Sequence, residues 1–257
     1  MKLWLLGSGS RGNAIVIEHG SSCVLIDAGL GPRTLCSRLA EVGIAPQRIL
    51  ALVLTHEHID HVRGARALGR RFDWPVYATR GTHSRLAGLR HCRREVIEAS
   101  RPALVDGMTI EPWRISHDAA EPVAFFVTAH DTGERAVVAY DLGYVSSGLA
   151  EACTHVDIVV VESNHDEGML RAGPYPPSLQ ARIASPHGHL SNRAAGILIR
   201  HAATRRAKHV VLAHLSETNN SPEVALRTAR RSLAGAGFSG TLVAASQDAV
   251  TGPVGTS

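Results

Sequence analysis

The sequence predicts an α/β protein of four layers, two β-sheets packed together with helices on the outside, built as one domain over residues 1–257. Three observations predict it. Short β-branched runs separated by Gly/Ser turns fill the first third of the chain. Helical stretches with apolar residues at three- and four-residue spacing follow. The same order, a meander and then helices, recurs in the second half without an internal repeat. The 257 residues are 44% hydrophobic and 19% charged, an ordinary globular balance that excludes a disordered or fibrous chain. A chain of this length can bury a large core without disulfides.

Taken in order, residues 3–6, 14–18 and 23–26 read as strands, split by the turns Gly7-Ser8-Gly9-Ser10-Arg11-Gly12 and His19-Gly20-Ser21-Ser22. A helix over 33–42 carries Leu35, Leu39 and Val42 at helical spacing and stops at Gly43. A buried strand over 49–54 runs into Thr55-His56. A helix over 60–71, a strand over 75–78 and a basic helical stretch to residue 94 follow. Strands are expected at 108–115, 123–129, 135–140, 158–162, 209–213 and 241–245. Helices are expected shortly after 140 and at 178–184, 191–203 and 222–236. Gly173-Pro174-Tyr175-Pro176-Pro177 is the strongest turn signal.

Composition narrows the chemistry. Cys23, Cys36, Cys92 and Cys153 form no C-x-x-C pair and no dense framework, which argues against a thiolate zinc site or a secreted disulfide scaffold. The N-terminus has only four consecutive apolar residues, and nowhere do eighteen run together, so a cytoplasmic protein without a membrane partner is expected. Fifteen His against eleven aromatic residues point to metal or acid–base chemistry. The net charge of +4 is unevenly placed: residues 61–94 hold nine Arg and one acid, Asp73, for a local charge of +8. Such a basic flank suits a phosphate backbone or, equally, a solvated helix face.

The turn at Gly7–Gly12 matches the dinucleotide pattern G-x-G-x-x-G, yet that pattern needs a helix opening at its third glycine. Here the β-branched run Asn13-Ala14-Ile15-Val16-Ile17 follows, so no nucleotide cofactor is expected. The decisive segment is Thr55-His56-Glu57-His58-Ile59-Asp60-His61 at the end of an apolar strand. In extended chain His56 and His58 point to the same side. A helix beginning near Ile59 puts Asp60 and His61 in its first turn. Four ligand-type residues in six positions suit a two-metal site. An H-E-x-x-H zincin is excluded because Asp60 stands where its second His would be.

This segment resembles the H-x-H-x-D-H signature of the metallo-β-lactamase fold, an αββα sandwich. Leu25-Ile26-Asp27-Ala28-Gly29, Ile115-Ser116-His117-Asp118, Tyr140-Asp141-Leu142-Gly143 and Leu212-Ala213-His214-Leu215 resemble its other landmarks in order, over nearly the whole chain. The resemblance implies an early Asp27 that buttresses the site. It implies one metal ion on His56, His58 and His117, a second on Asp60, His61 and His214, and Asp141 between them. The ions would be Zn²⁺, Mn²⁺ or Fe²⁺. Finer likeness lies in the glycine turn, Glu162-Ser163-Asn164-His165-Asp166, Gly188-His189-Leu190-Ser191-Asn192 and His214-Leu215-Ser216-Glu217-Thr218-Asn219-Asn220. These resemble the bacterial YycJ-type branch, whose members are DNA exonucleases working from 5′ ends. Arg11, where Ser is usual, and Tyr140, where Thr is usual, depart from that pattern.

The expected function is therefore a two-metal phosphodiester hydrolase acting on DNA, single-stranded or at ends. A hydroxide bridging the ions would be the nucleophile and His189 the general acid. Asp60 and His165 are further catalytic candidates, and His187 is the neighbouring alternative to His189. Ser8, Asn13, Asn164, Ser191 and Asn192 are the candidate substrate contacts. The alternatives are a thioester or lactone hydrolase on the same fold, and a metal-binding regulatory module without turnover. His19, His83, His91, His130, His155, His201 and His209 read as ordinary surface or core histidines.

Overall fold

The computed structural model describes residues 1–255. Its strands form two mixed seven-stranded sheets, and its backbone gathers into two compact units. The first unit takes Met1–Arg114, Ala119–Glu134 and the segment from Ser246; the second takes Ile115–Asp118 and Arg135–Ala245. Among the described residues, no helix is long and apolar enough to cross a membrane.

In the first unit, β1 (Lys2–Gly7), β2 (Ala14–His19) and β3 (Ser22–Ile26) form the expected antiparallel meander, continued in parallel by β4 (Ile49–Val53), β5 (Val76–Ala78) and β6 (Arg94–Val96). The strand Thr251–Gly255, which carries no expectation from the sequence, closes the other edge antiparallel to β1. Helix α1 (Pro32–Glu41) opens on Pro32 and buries Leu35 and Leu39, one turn apart, before Gly43 ends it at φ 72°. The same unit also holds β7 (Ala103–Val105), β8 (Met108–Arg114) and β9 (Val123–Ala129), an antiparallel meander that belongs to the second of the two sheets.

Two expectations for this unit are corrected. The helix over 60–71 is two helices, α2 (Ile59–Val62) and α3 (Ala65–Phe72). The break falls at Gly64, whose N–H donates to Ala28 O at 2.7 Å. A Cβ at Gly64 would lie 2.5 Å from Leu30 O, so only glycine lets the chain approach β3's exit loop this closely. The stretch 80–94 is helical only in part: α4 (Arg80–Arg85) and a 3-10 turn (Ala87–His91) give way to β6, where sheet pairing overrides local helical spacing.

In the second unit β10 (Arg135–Ala139), β11 (Ile158–Glu162), β12 (His209–Ala213) and β13 (Thr241–Ala244) are parallel and in close register, with Val161 opposite both Ala139 and Leu212. The near-continuous Val/Ile/Leu runs of the central strands β11 and β12 are what strands buried on both faces require, whereas the edge strand β13 is half-buried to exposed. The connecting helices are α5 (Ser147–Cys153), α6 (Glu167–Ala172), α7 (Pro177–Ile183), α8 (Asn192–Ala203) and α9 (Pro222–Leu233). Ser146, Asp166, Ser191 and Ser221 accept a first-turn N–H at the N-termini of α5, α6, α8 and α9, respectively. The parallel register has a consequence for function. It brings the residues at and just beyond the carboxyl ends of β10, β11 and β12 to one edge, and these are Asp141, Glu162 and His214.

Candidate active site

In the first unit the site is built on the exits of β3 and β4. Asp27 follows β3 at φ 59°, an uncommon conformation for a residue with a side chain. Its fully buried carboxylate accepts the Thr55 N–H (2.8 Å), the Thr55 hydroxyl (2.7 Å) and His61 Nδ1 (2.7 Å). With the proton held at Nδ1, His61 presents Nε2 as its donor atom. Nε2 lies 3.3 Å from an Asp60 carboxylate oxygen and 3.1 Å from the Asn13 amide nitrogen. The rings of His56 and His58 meet edge to face at 4.6 Å, and those of His56 and His61 lie 4.1 Å apart. All four ligand-type residues of the H-x-H-x-D-H segment thus gather in one loop and the first turn of α2.

The glycine turn is part of this construction. Asn13 is buried; its side chain closes the turn on Gly9, and its N–H donates to Asp60 O at 2.8 Å. Ser8 is buried as well, its N–H on Ser246 O. Arg11 turns outward onto Asp248, at 2.8 Å. Gly29 packs against the same loop, where an added Cβ would lie 1.6 Å from Asp60 O. We expect Gly29→Ala to cost about 3 kcal/mol, the upper end of the usual cost of overpacking, because backbone must move to admit the methyl group. Urea unfolding and metal content per chain check this, and both should fall.

In the second unit the centre is a carboxylate that sequence reasoning left without a role. Glu162 ends β11 fully buried. One oxygen accepts the N–H groups of Leu142 (3.0 Å) and Leu190 (3.1 Å). The other receives His189 Nδ1 at 2.7 Å and His214 Nδ1 at 3.1 Å. Asp141, at φ 55°, stands 3.3 Å from His189 Nδ1 and 3.5 Å from His214 Nδ1. Ligand-type atoms of Asp141, Glu162, His189 and His214 all lie within 4.8 Å of one another. Since both Glu162 oxygens are engaged by N–H donors, its place is behind the imidazoles. The signal in the sequence was a lone acid closing the apolar run Ile158-Val159-Val160-Val161, because a charge buried there has to be paired.

Burial alone pushes His189 towards its neutral form, but the charges of Glu162 and Asp141 and their hydrogen bonds outweigh it, raising its pKa to about 11. Burial likewise pushes Glu162 up, and the His189 charge with the His189 and His214 hydrogen bonds carries it down to about 2. His117 is buried with Nδ1 on Gly188 O at 3.1 Å, and burial lowers its pKa. Burial also lowers His165 and His83. The signs define an optimum for the metal-free protein. Below the ordinary value of 6.5 the unfolded chain takes up protons that His83, His117 and His165 refuse when folded, so stability falls with falling pH. The His189 contribution is fully present below 6.5 and is lost as pH rises towards about 11. We expect Tm to peak near neutrality, and His189→Asn to flatten the alkaline limb of its pH profile while also changing the profile below pH 4.5, where the lowered Glu162 titration depends on the His189 charge.

The other expected site residues fall in different places. His165 is only 2% exposed, and its backbone O accepts the Asn192 N–H at 2.8 Å. The Asn192 amide is buried between Ser163 (2.6 Å) and Asn220 (2.9 Å), and the Asn164 amide donates to His214 O at 3.0 Å. Ser191 caps α8 and donates to Glu167 at 3.0 Å. These polar groups hold the strand ends and the His189 loop in shape. His187 is exposed, with Nδ1 3.1 Å from the Ser116 hydroxyl and, among the described residues, no carboxylate partner.

The donor chemistry fits divalent ions. His61, His117 and His214 each have Nδ1 on an acceptor, as metal-ligating imidazoles do, and carboxylates stand among them. A family model described as the metallo-beta-lactamase superfamily matches residues 7–175. The exodeoxyribonuclease YycJ of Bacillus anthracis is 32% identical over 238 residues, which cover 91% of this chain and 89% of that protein. The exodeoxyribonuclease WalJ of Streptococcus pneumoniae is 33% identical over 239 residues, covering 91% and 88%. Among solved structures, the metallo-beta-lactamase fold protein YhfI from Bacillus subtilis superposes with a TM-score of 0.71 at 17% identity, over 97% of this chain and 98% of its own, a likeness of fold.

Proposed function

The chain belongs to the metallo-beta-lactamase superfamily and is a metal-dependent hydrolase, and from that premise we propose that it cleaves phosphodiesters in DNA as a 5′-end exonuclease. We assign His56, His58 and His117 to one divalent ion, Asp60, His61 and His214 to a second, and Asp141 to both, within a single catalytic domain. Bound there, the ions would supply an acidified water as nucleophile and positive charge for the phosphoryl oxygens. The protein's own residues do the rest. Asp27 and Glu162 orient His61 and His214 through Nδ1. His189, kept protonated by Glu162 and Asp141, delivers a proton to the departing sugar oxygen.

The observation that carries this reading is the 2.7 Å contact of His189 Nδ1 with Glu162, which fixes this imidazole beside the ligand-type residues. The identity of 32% and 33% to exodeoxyribonucleases supports DNA as the substrate. The test is end-labelled single-stranded and duplex DNA, with a 5′ phosphate or a 5′ hydroxyl, incubated with protein loaded with Mn²⁺ or Zn²⁺. Stepwise shortening is expected. Intact DNA beside rapid hydrolysis of a thioester or lactone would sink the nuclease reading.

A further inference from the structure

Beyond the metal-site residues, the first unit carries a run of cations that the chemistry above does not use. Arg63, at the end of α2, and Arg66, Ala67, Arg70 and Arg71 of α3 line one open groove of about 610 Å³. Arg63 is anchored, its guanidinium donating to Arg11 O of the glycine turn at 3.1 Å. Arg66, Arg70 and Arg71 are exposed, and among the described residues no carboxylate pairs with them. By contrast, Arg80, Arg93 and Arg114 of the same unit face Glu98, Glu95 and Glu121. Burial raises the Cys92 thiol, and Arg70, Arg66 and Arg94 act against that rise, so the positive field spreads from α3 towards β6. The arrangement does nothing for the helix itself. Arg66 and Arg70 are like charges four residues apart, and Arg66 stands in the first turn, at the positive end of the helix dipole.

We propose that this face of α3 is a phosphate track, carrying a single nucleic-acid strand away from the His58–Asp60–His61 loop that immediately precedes it. The proposal rests on the DNA reading above and adds to it where the retained strand lies. Arg66, Arg70 and Arg71 spread over about 7 Å of helix axis. A strand carries one charge for about every 3.4 Å of duplex axis, so the face meets two or three successive phosphates. Guanidinium groups can pair with two phosphate oxygens at once and need no sequence. Exposed pairs of this kind act through counterion release, so the track is visible as salt dependence.

The test is a triple variant, Arg66→Ala with Arg70→Ala and Arg71→Ala, binding a short labelled single strand with phosphorothioate linkages. The slope of log affinity against log salt should become shallower by about 2, from three contacts at roughly 0.7 each. Cleavage of long strands should slow, while hydrolysis of a small nitrophenyl phosphodiester should stay at the wild-type rate. The corresponding triple Lys variant should restore the slope, since it keeps the charges. An unchanged slope in an Ala variant with wild-type Tm overturns the track while leaving the nuclease reading intact. Loss of binding to phosphatidylserine vesicles with DNA binding unaffected also overturns it, in favour of a membrane surface. Wild-type protein that neither binds nor cleaves DNA removes the nuclease reading, and the track with it.

Discussion

Replacing Glu162 with Gln should cripple the protein more than any other single substitution of similar size. Glutamine keeps the shape but brings an N–H₂ group to a position where every neighbour, Leu142 N–H, Leu190 N–H, His189 and His214, is already a donor. It also removes the buried counter-charge of His189. Breaking such a pair from one side costs roughly 3 kcal/mol or more. Loss of the carboxylate behind a candidate ligand lowers metal affinity by about 10- to 100-fold. Urea unfolding of the metal-free protein measures the first effect and metal titration the second. Wild-type values in both would mean that Glu162 is not the anchor of the two imidazoles.

Replacing His189 with Ala should leave the metal content per chain unchanged and lower turnover on DNA by about 10²- to 10⁴-fold, the usual worth of a positioned proton donor. A nitrophenyl phosphodiester has a leaving group that departs without a proton, so its hydrolysis should fall far less. That contrast separates a proton donor from a residue that merely shapes the loop. Loss of bound metal in the variant would instead place His189 among the ligands and reopen the assignment of His214.

The parts of this site that were legible in the sequence are those where chemistry is concentrated in adjacent positions. His56, His58, Asp60 and His61 announce themselves because four ligand-type residues follow one apolar strand. Asp141 and His214 are legible only through family resemblance, since each is a single residue after a strand and the parallel register that joins them is a long-range property. Glu162 carries no role legible in its motif, because its partners are brought to it by β12 and by the loop before α8. The candidate substrate contacts show the reverse bias. Asn13 and Asn192 stand near glycines or a helix start and are expected as substrate contacts, and the fold engages their amides in buried backbone and side-chain bonds. For secondary structure the same logic holds: Gly64 breaks a helix because of where Leu30 lies, which no local window contains.

The strand-end residues Asp27, Asp141 and His214 share one backbone trait, a positive φ of 59°, 55° and 53°. Only a short alphabet tolerates that corner: Gly most readily, then Asn, Asp and His. The residues that can turn the chain there and those that can bind or buttress a metal overlap in Asp and His alone. On the proposed ligand assignment, exchange by evolution or by design is constrained twice over, since a Cys or Glu introduced at 141 or 214 would have to satisfy the ion and also bear the strained corner. A library selected for thermal stability alone should drift towards Gly and Asn at these three positions, exchanging catalytic vocabulary for relaxed backbone.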